Sequence, residues 1–492
     1  MYEEVDVVLL TIPKMEVKAP LVAGPALKAV LEKDGFKVKC IDLNVEFYTE
    51  LRKEHSSWWL FQDFTFIDKD LFEEAWNSHI KDLSIKWMNE IEKYNPKVIG
   101  VTVLGHWTYN MAEKLIEMMW LKFPNTKIVL GGPGTEDDIA PQLLKDEYID
   151  AYIQGEGEVS FLEYMKGNLF YPGINGKKAQ QIGDMNNLPF PDYSDYDLSK
   201  YSGEWVPPNK EPQGCTRIYV TGTRGCIKRC TFCNVGSIWP KFVAKTGATI
   251  AKELKHYVET TGINSFYFTD SLLNGNCDSL VELAEAIIEF NLDIRWKGQW
   301  IARGEKLMPE KMWDKLKEAG LIEIIIGIES GSQKTRNDMK KGVSESDIEY
   351  TFQQCKRTGI KMVPLMMVGY PTETDEDFED NLKFWERYKK YSDTVTVTSL
   401  GTTTRVLKNT PLETRYRDEM WFDEYGHWVY RDNNMQKRIE RWIRMRDEAL
   451  KYGFDVGYDI PTILIKEYRE ITGIDLQEKY GVLKNGERAW HE

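Results

Sequence analysis

Cysteine is scarce in this sequence: seven of its 492 residues are cysteines, which is also an odd number. Four of the seven are scattered along the chain, at Cys40, Cys215, Cys277 and Cys355. A secreted disulfide framework would have an even number of cysteines at close spacings, so the pattern argues against that class of protein. We expect buried thiols at these four positions.

Long apolar runs are also missing. No stretch approaches the ~20 apolar residues that a membrane-spanning helix needs. The first residues, "MYEEVDVVLLTIP", are acidic before a short apolar run, whereas a secretory signal begins with a basic region. We therefore expect a cytoplasmic protein without a membrane span.

Basic residues are outnumbered, with 64 Lys and Arg against 78 Asp and Glu and a net charge of -14. Broad, non-specific binding of nucleic acid depends on a positive surface, so no nucleic-acid partner is expected. The length exceeds what a single hydrophobic core usually supports, and we expect two or three domains.

The first 165 residues alternate between short apolar runs, which predict strands, and segments with helical spacing. This alternation indicates an α/β fold in which helices cover both faces of a parallel sheet, as in a doubly wound Rossmann-like domain. A helical insertion at 45–95 contains the tryptophans Trp58, Trp59, Trp76 and Trp87. The predicted strands are 5–11, 37–43, 97–104, 127–132 and 151–155.

A segment rich in proline and turn-forming residues, 166–210, predicts a linker. A second alternation over 211–400 predicts a partial (β/α)6 TIM-type barrel, whose active site would lie at the carboxyl ends of its strands. Residues 401–492 have mainly helical patterns and predict a C-terminal helical substrate or cap region. The predicted barrel strands are 216–222, 265–270, 294–300, 322–329, 361–370 and 394–400.

The remaining three cysteines lie together in "GCIKRCTFC", as Cys226, Cys230 and Cys233. A structural zinc site would need four ligands, usually in two separated pairs, and no second C-x-x-C lies nearby. Three thiolates from one loop can instead hold three irons of a 4Fe–4S cluster and leave the fourth iron open. Three incidental cysteines, or a zinc site that borrows Cys215, are the alternatives.

This C-x-x-x-C-x-x-C run, with the aromatic Phe232 before its last cysteine, resembles the radical S-adenosylmethionine (SAM) superfamily. The resemblance implies that the open iron binds SAM and that reductive cleavage gives a 5′-deoxyadenosyl radical. It also implies SAM contacts where barrel strands end, in "TDSLLNGN", "GIESGS" and "MVGYPTET". The residues expected to bind the cofactor there are Asp270, Gln299, Glu329, Ser330 and Gly369. For Gln299 and the neighbouring Arg303, a substrate site and surface packing are both open.

The N-terminal strands are followed by "TVL", "GGPG" and "QGEGE", an order that resembles cobalamin-binding domains fused in front of radical SAM barrels. Glycine at such positions lets a bulky ligand approach the backbone closely. The second strand ends in "IDLNVEFY", so the D-x-H-x-x-G motif of domains with a histidine lower ligand is absent. Three alternatives are open here: His106 coordinates cobalt, Trp107 covers the face of the corrin and excludes a ligand, or these residues pack elsewhere. The other expected cobalamin contacts are Thr102, Leu104, Gly131, Gly132, Gly155 and Glu156.

Together the motifs resemble the cobalamin-dependent, class B type radical SAM enzymes, with a cobalamin domain at 1–165. The resemblance implies methylation of an unactivated carbon in a small-molecule or peptide substrate, with a reductant such as flavodoxin or ferredoxin. Alternatives are ring formation or rearrangement with both cofactors, a domain that has lost cobalamin, and a non-catalytic sensor. A methylthiotransferase is disfavoured, since a second three-cysteine cluster is lacking.

Substrate specificity is expected to lie in the C-terminal region, which matches no motif. We hypothesise that this region and the tryptophan-rich insertion close over the substrate. The candidate residues are Arg405, Trp421, His427, Trp428 and Trp442.

Overall fold

The computed structural model describes residues 4–59, 65–136, 139–177, 179–203, 213–400, 403–422, 428–456, 469 and 473. The chain divides into two compact units. The N-terminal unit comprises 1–219 and 256–265, and the barrel unit comprises 220–255 and 266–492. Among the helices of the described ranges, none is long and apolar enough to cross a membrane.

The N-terminal unit contains a five-stranded sheet in the order β2-β1-β3-β4-β5, in which every neighbouring pair is parallel. This strand order is that of a doubly wound fold and confirms the expected fold class. The strands are β1 (Val7–Thr11), β2 (Val38–Asp42), β3 (Val98–Thr102), β4 (Lys127–Gly131) and β5 (Ala151–Tyr152). The helices are α1 (Ala23–Lys33), α2 (Leu43–Leu51), α3 (Lys69–Ala75), α4 (Lys81–Glu92), α5 (His106–Lys122), α6 (Ile139–Lys145) and α7 (Gly157–Met165).

The register of this sheet brings its strand ends to one edge. Thr11 lies opposite both Asp42 and Thr102, and Thr102 lies opposite Gly131. Loops that follow these strands therefore meet at the same edge, which is where ligands bind in open α/β sheets.

The tryptophans of the 45–95 insertion are part of the core. Trp58, Trp76 and Trp87 are each at most 6% exposed and pack with residues of β1 and β3 in one apolar cluster. These side chains fill the interior of the N-terminal unit, so they are not available to cover a substrate. The hypothesis that the insertion is a lid loses its support, because its apolar character is explained by packing.

Charged side chains hold the chain after α7 against the N-terminal sheet. The carboxylate of Asp195 accepts hydrogen bonds from Lys28 Nζ at 2.9 Å, Lys39 Nζ at 2.8 Å and the Cys40 N–H at 2.9 Å. Burial opposes ionisation of Asp195, but these three donors outweigh it and lower the pKa of the carboxyl group. The segment expected to be a linker is thus anchored at Asp195.

A second five-stranded sheet, in the order β12-β11-β10-β9-β6, lies mainly in the barrel unit. Two small two-stranded sheets pair β7 with β8 and β13 with β14. The strands are β6 (Ile218–Val220), β7 (Thr223–Arg224), β8 (Val243–Ala244), β9 (Ser265–Phe268), β10 (Arg295–Trp300), β11 (Leu321–Glu329), β12 (Lys361–Met366), β13 (Trp421–Phe422) and β14 (Trp428–Val429). The helices are α8 (Val235–Ile238), α9 (Gly247–Thr261), α10 (Cys277–Glu289), α11 (Glu310–Glu318), α12 (Gln333–Asp338), α13 (Glu345–Thr358), α14 (Asp375–Tyr388), α15 (Pro411–Tyr416) and α16 (Met435–Lys451).

The sixth predicted barrel strand, 394–400, runs parallel to β12 but pairs with it through isolated bridges. The Thr396 N–H donates to the Met362 carbonyl and the Ser399 N–H donates to the Pro364 carbonyl, both at 3.0 Å. Pro364 has no N–H to donate in return, which interrupts the ladder. The expected helical C-terminal region is present as α15 and α16.

We expect Asp195→Asn to lower the free energy of unfolding by about 3 kcal/mol, because it leaves the buried Lys28 and the half-buried Lys39 without their carboxylate. The lowered pKa of Asp195 means that its stabilisation is present at neutral pH and is lost as the pH falls through that pKa. The variant should therefore differ less from the unmutated protein in acid. Urea unfolding followed by circular dichroism measures both effects. Asp34→Asn removes an exposed pair with Lys166 and should cost less than ~1 kcal/mol; equal losses in the two variants would contradict the expectation.

Candidate functional site

The three clustered cysteines lie on one loop, residues 225–233, which we call the cysteine loop. It follows β7 and leads into α8. Gly225 has a φ of +79°, and a Cβ atom there would clash with the Lys241 carbonyl oxygen. Only glycine accommodates both conditions, so this residue sets the direction in which the loop leaves the strand.

Neighbouring charges of the cysteine loop act on the thiols of Cys230 and Cys233. Burial raises the pKa of the Cys230 thiol to about 11, the charge of Lys341 opposes that shift, and Cys233 and Cys226 add to it. Burial likewise raises the pKa of Cys233. Three thiols on one loop beside a buried cation fit an iron–sulfur cluster, because such clusters are bound by thiolates and a cation favours the thiolate form.

Thr231 holds the middle of the cysteine loop. Its N–H donates to the Met339 carbonyl at 2.9 Å, and its carbonyl accepts from the Leu412 N–H at 2.8 Å. Its hydroxyl is 2.8 Å from the Tyr370 hydroxyl. Three separate segments of the barrel unit thus fix the backbone between Cys230 and Cys233.

Phe232 is half-buried against an apolar cluster of the same unit. The aromatic position before the last cysteine therefore serves to pack the loop onto the C-terminal part of this unit. The buried members of that cluster are Met339, Tyr370, Leu412, Tyr416, Met420, Trp428 and Tyr430.

Asp270 lies just beyond β9 and is 2% exposed. Its carboxylate accepts the Gly222 N–H at 3.2 Å, so it supports the chain just before the cysteine loop. Burial raises the pKa of Asp270 to about 6. Asp270 thus holds the chain that leads into the cysteine loop, and its contact with the cofactor stays a prediction.

Glu329 ends β11 with a φ of +68°, a conformation that few non-glycine residues adopt. Its Oε1 atom accepts a hydrogen bond from Lys341 Nζ at 2.6 Å. The next residue, Ser330, is fully buried and donates from its hydroxyl to Asn381 Oδ1 at 2.9 Å. The serine hydroxyl therefore orders the loop after β11.

A buried network connects the ends of β11 and β12. Asn381 on α14 binds Ser330 and donates from Nδ2 to Glu373 Oε2 at 3.3 Å. Glu373 Oε1 accepts from the Gly369 N–H at 3.2 Å and from Arg441 on α16 at 2.8 Å. Burial raises the pKa of Glu373 to about 7, although the charge of Arg441 opposes the shift.

Gly369 has a φ of +75° and lies against Arg438, whose Cγ a Cβ atom at this position would overlap. The glycine thus allows α16 to approach the end of β12. Arg438 is fully buried, with its guanidinium 3.9 Å from the centre of the Trp428 ring.

Gln299 and Arg303, the candidates in β10 and just after it, have hydrogen-bond partners in the barrel unit. Gln299 Nε2 donates to the Tyr267 hydroxyl at 3.5 Å. Arg303 donates to the carbonyls of Asn274 and Gly275 at 3.1 and 3.3 Å. Arg303 therefore stabilises the turn after β9, which favours the packing interpretation for this residue.

In the N-terminal unit, the loops after β3 and β4 contact each other. Gly132 has a φ of +96°, and a Cβ atom there would lie 2.5 Å from the Val103 carbonyl oxygen. This glycine is required by the neighbouring loop. At Gly131, by contrast, a Cβ atom would meet nothing within 4 Å, so the backbone at the end of β4 is open to a ligand.

The start of α5 is ordered by Thr108, whose hydroxyl accepts the N–H groups of Leu104 and Gly105 at 3.2 and 3.3 Å. Trp107 is 44% exposed at this helix start. The side chain of His106 lies outside what the structure describes, so cobalt coordination by it stays a prediction.

The loop after β5 contains the remaining expected cobalamin contacts. Gly155 has a φ of +78°, and a Cβ atom there would lie 2.6 Å from Ala179 Cβ. The carboxylate of Glu156 accepts the Ile182 N–H. Both residues thus support the segment 179–182 of their own unit.

The remaining candidates fall into two groups. Cys215 donates to the Arg217 carbonyl at 2.8 Å, and burial raises the pKa of its thiol to about 11. In the C-terminal region, Trp428 and Trp442 are buried core residues, whereas Arg405 and Trp421 are exposed. His427 lies outside the described residues.

Sequence reasoning missed Lys341, Asn381 and Arg441. Lys341 is one of two adjacent lysines in "MKKG", and nothing in the sequence marks it as the buried one. Asn381 and Arg441 lie on helices outside the motifs. Helical spacing predicts that both positions face inward, but it does not identify their partners.

Two family models match the chain. The model described as the Radical SAM superfamily matches residues 220–384, and the model described as the B12 binding domain matches residues 69–164. The first range contains the cysteine loop and the ends of β11 and β12, and the second contains the ends of β3 and β4.

Curated proteins similar to the chain include methyltransferases and a cyclase. An uncharacterized methyltransferase of Pyrococcus horikoshii is 26% identical over 60% of this chain and 65% of its own length. The cytidylyl-2-hydroxyethylphosphonate methyltransferase of Streptomyces wedmorensis is 22% identical, over 70% and 68%. The anaerobic magnesium-protoporphyrin IX monomethyl ester cyclase of Rubrivivax gelatinosus is 24% identical, over 64% and 58%. The chain thus spans 58% to 68% of these relatives' lengths.

Two solved structures share the fold. The cobalamin-dependent S-adenosylmethionine radical enzyme OxsB with aqua-cobalamin bound has a TM-score of 0.63 at 16% identity, over 89% of this chain and 66% of that chain. The radical S-adenosylmethionine methyltransferase TsrM from Kitasatospora setae has a TM-score of 0.59 at 17% identity, over 91% and 89%.

We expect Gly225→Ala to bind less than about a tenth of the iron that the unmutated protein binds after anaerobic reconstitution. A non-glycine residue with such a φ costs ~1–3 kcal/mol, and the clash with Lys241 adds to that cost. Iron and sulfide analysis measures the effect. Gly236→Ala is the matched control, because a Cβ atom there meets its nearest neighbour, Arg229 Cδ, at 3.5 Å. Full iron loading of Gly225→Ala would contradict the role given to Gly225.

Proposed function

We propose that this chain, in which a Radical SAM superfamily match and a B12 binding domain match occur together, methylates an unactivated carbon of a small-molecule or peptide substrate. The observation that carries this proposal is the presence, in one chain, of the three-thiol cysteine loop and of an N-terminal sheet edge open at Gly131. The similarity to proteins named methyltransferases supports the same reaction.

When bound, the family's cofactors would supply the chemistry: one-electron reductive cleavage of SAM at a 4Fe–4S cluster, hydrogen-atom abstraction from the substrate, and a methyl group from methylcobalamin. In our proposal, Cys226, Cys230 and Cys233 hold the cluster and leave one iron open for SAM. Thr231 and Gly225 fix the loop geometry. These residues orient the cofactor and exclude water from it, and a one-electron donor of the flavodoxin or ferredoxin class supplies the electron.

We propose further that the binding groups for SAM lie where β11 and β12 end. Glu329 is the candidate for direct contact, because its conformation is strained and a strained residue often marks a binding site. Ser330 and Gly369 act through the shape of their loops. For cobalamin, the candidates are Gly131, the open position at the end of β4, and Trp107, the exposed position at the start of α5.

A second candidate function is ring formation with the same two cofactors. The similarity to the Rubrivivax gelatinosus cyclase favours it, and the residues described above are compatible with either outcome. The two reactions differ in their products, because methylation adds the mass of one methyl group and ring formation does not.

We expect the protein to bind about four irons and one cobalamin per chain after anaerobic reconstitution with iron, sulfide and hydroxocobalamin. With dithionite supplied as reductant, it should then cleave SAM to 5′-deoxyadenosine, and Cys226→Ala should reduce cleavage to background. Cys277→Ala, a half-buried cysteine outside the loop, is the control. A substrate that gains one methyl group supports methylation, whereas four irons without cobalamin would contradict it.

We expect Gly131→Leu to weaken cobalamin binding by about tenfold or more, since crowding of ~1–3 kcal/mol corresponds to that factor. The fold should tolerate the change, because a Cβ atom at Gly131 meets nothing within 4 Å. Visible absorption of the bound corrin measures the effect. Gly183→Leu is the matched control, as Gly183 also has open space around it. Equal corrin binding by both variants would remove Gly131 from the cobalamin site.

A further inference from the structure

A buried ion pair lies beside the cysteine loop. Lys341 Nζ is 2.6 Å from Glu329 Oε1, and each side chain is 11% exposed. Removing two charges from water costs several kcal/mol per ion, and their mutual attraction repays this only with good geometry. A pair of this kind is poor evidence for stability, so its position in the molecule needs another explanation.

The backbone on both sides of Lys341 is hydrogen-bonded to the cysteine loop. On one side, the Met339 carbonyl accepts the Thr231 N–H at 2.9 Å. On the other, the Gly342 carbonyl accepts Lys228 Nζ at 2.8 Å. The cysteine loop therefore contacts this segment both before and after Lys341, through residues that lie between the cysteines.

The strand beneath the pair leaves room for it. A Cβ atom on Gly327 would lie 2.5 Å from Glu329 Oε1 and 2.6 Å from Lys341 Nζ. Glycine at this position of β11 allows the ion pair to lie on the strand. The pair, the bracketing contacts and the glycine together form a built site for one positive and one negative charge.

The charge of Lys341 reaches the thiols. Burial favours the neutral amine, but Glu329 and Cys230 outweigh it and raise the pKa of Lys341, so the side chain carries its proton. The same charge acts on Cys230 and Cys233 in the direction of the thiolate. Because the interior screens charge poorly, one ammonium group at this place has a large effect on nearby ionised sulfur.

We propose that Lys341 is a positioning residue whose charge sets the reduction potential of the cluster held by Cys226, Cys230 and Cys233. The inference rests on the proposed function, in which these cysteines bind a 4Fe–4S cluster. Reduction adds one electron, supplied by an external one-electron donor, and breaks no bond in the protein. The ammonium favours the more negative, reduced cluster, and Glu329 limits this effect; charge near a cluster is one of the factors that set its potential.

Because Lys341 and Glu329 carry opposite charges, the proposal predicts opposite shifts of the reduction potential when one or the other is replaced. Loss of Lys341 should make the cluster harder to reduce, and loss of the Glu329 charge should make it easier to reduce. A purely structural role for the pair predicts the same change from either substitution, because both would break the same contact.

The experiment is an anaerobic redox titration of the reconstituted full chain without SAM, with dithionite as reductant and the reduced cluster followed by electron paramagnetic resonance. Lys341→Met should lower the equilibrium constant for reduction about tenfold, which is 59 mV for a one-electron couple. Lys341→Arg keeps the charge and should restore the unmutated potential. Glu329→Gln should shift the potential upward. Lys340, the exposed neighbour of Lys341, provides the control. Lys340→Met removes the same charge nearby and should leave the reduction potential unchanged.

A second comparison avoids leaving the Glu329 carboxylate buried without a partner. It sets the single variant Glu329→Gln against the double variant that carries both Glu329→Gln and Lys341→Met. The equilibrium constant for reduction should be about tenfold lower in the double variant than in Glu329→Gln. This comparison tests the proposal even if the single variant Lys341→Met binds little iron. Equal reduction potentials in Glu329→Gln and the double variant would overturn the proposal. Shifts of the same sign in Lys341→Met and Glu329→Gln would overturn it too. Failure of the unmutated protein to bind iron would instead overturn the proposed function.

Discussion

The barrel unit depends on the hydrogen bonds of Thr231, which lies between the second and third clustered cysteines. Its N–H, its carbonyl and its hydroxyl each bind a different segment, at Met339, Leu412 and Tyr370. Cysteines on an untethered loop would have many relative positions, and fixing them would cost conformational entropy when a cluster forms. Because three segments hold Thr231, much of this ordering is already present in the folded chain.

The same principle extends to the strand ends around the cysteine loop. Asn381, Glu373 and Arg441 connect the loops after β11 and β12 with α14 and α16 through buried hydrogen bonds. A network of this kind is stable when every member has a partner, and it holds its loops in one arrangement. The C-terminal helical region therefore contributes to the frame of the candidate site, and its tryptophans Trp428 and Trp442 are part of that frame.

The sequence predicted the strand alternation, the doubly wound sheet and the cysteine loop well, because each of these has a local signature of period or spacing. It predicted glycine function less well. Gly131 and Gly132 are adjacent and look alike in sequence, but one faces open space and the other meets the Val103 carbonyl. The tryptophans of the insertion are a similar case, since composition does not distinguish a buried core from a lid over a substrate. Lys341 shows the general limit: its neighbour Lys340 has the same chemistry, and only the fold decides which of the two is buried.

The contact between the cysteine loop and the chain around Leu412 also determines when, during protein synthesis, the loop can be completed. Ser237, just after the last clustered cysteine, donates to the Asn409 carbonyl across a separation of 172 residues. At a synthesis rate of ~5–20 residues per second, the ribosome needs roughly 9–34 s to travel that distance. During this interval the three cysteines have already been added to the chain, whereas the segment that completes their loop has not yet been made. The contacts that complete the loop can therefore form only late in translation.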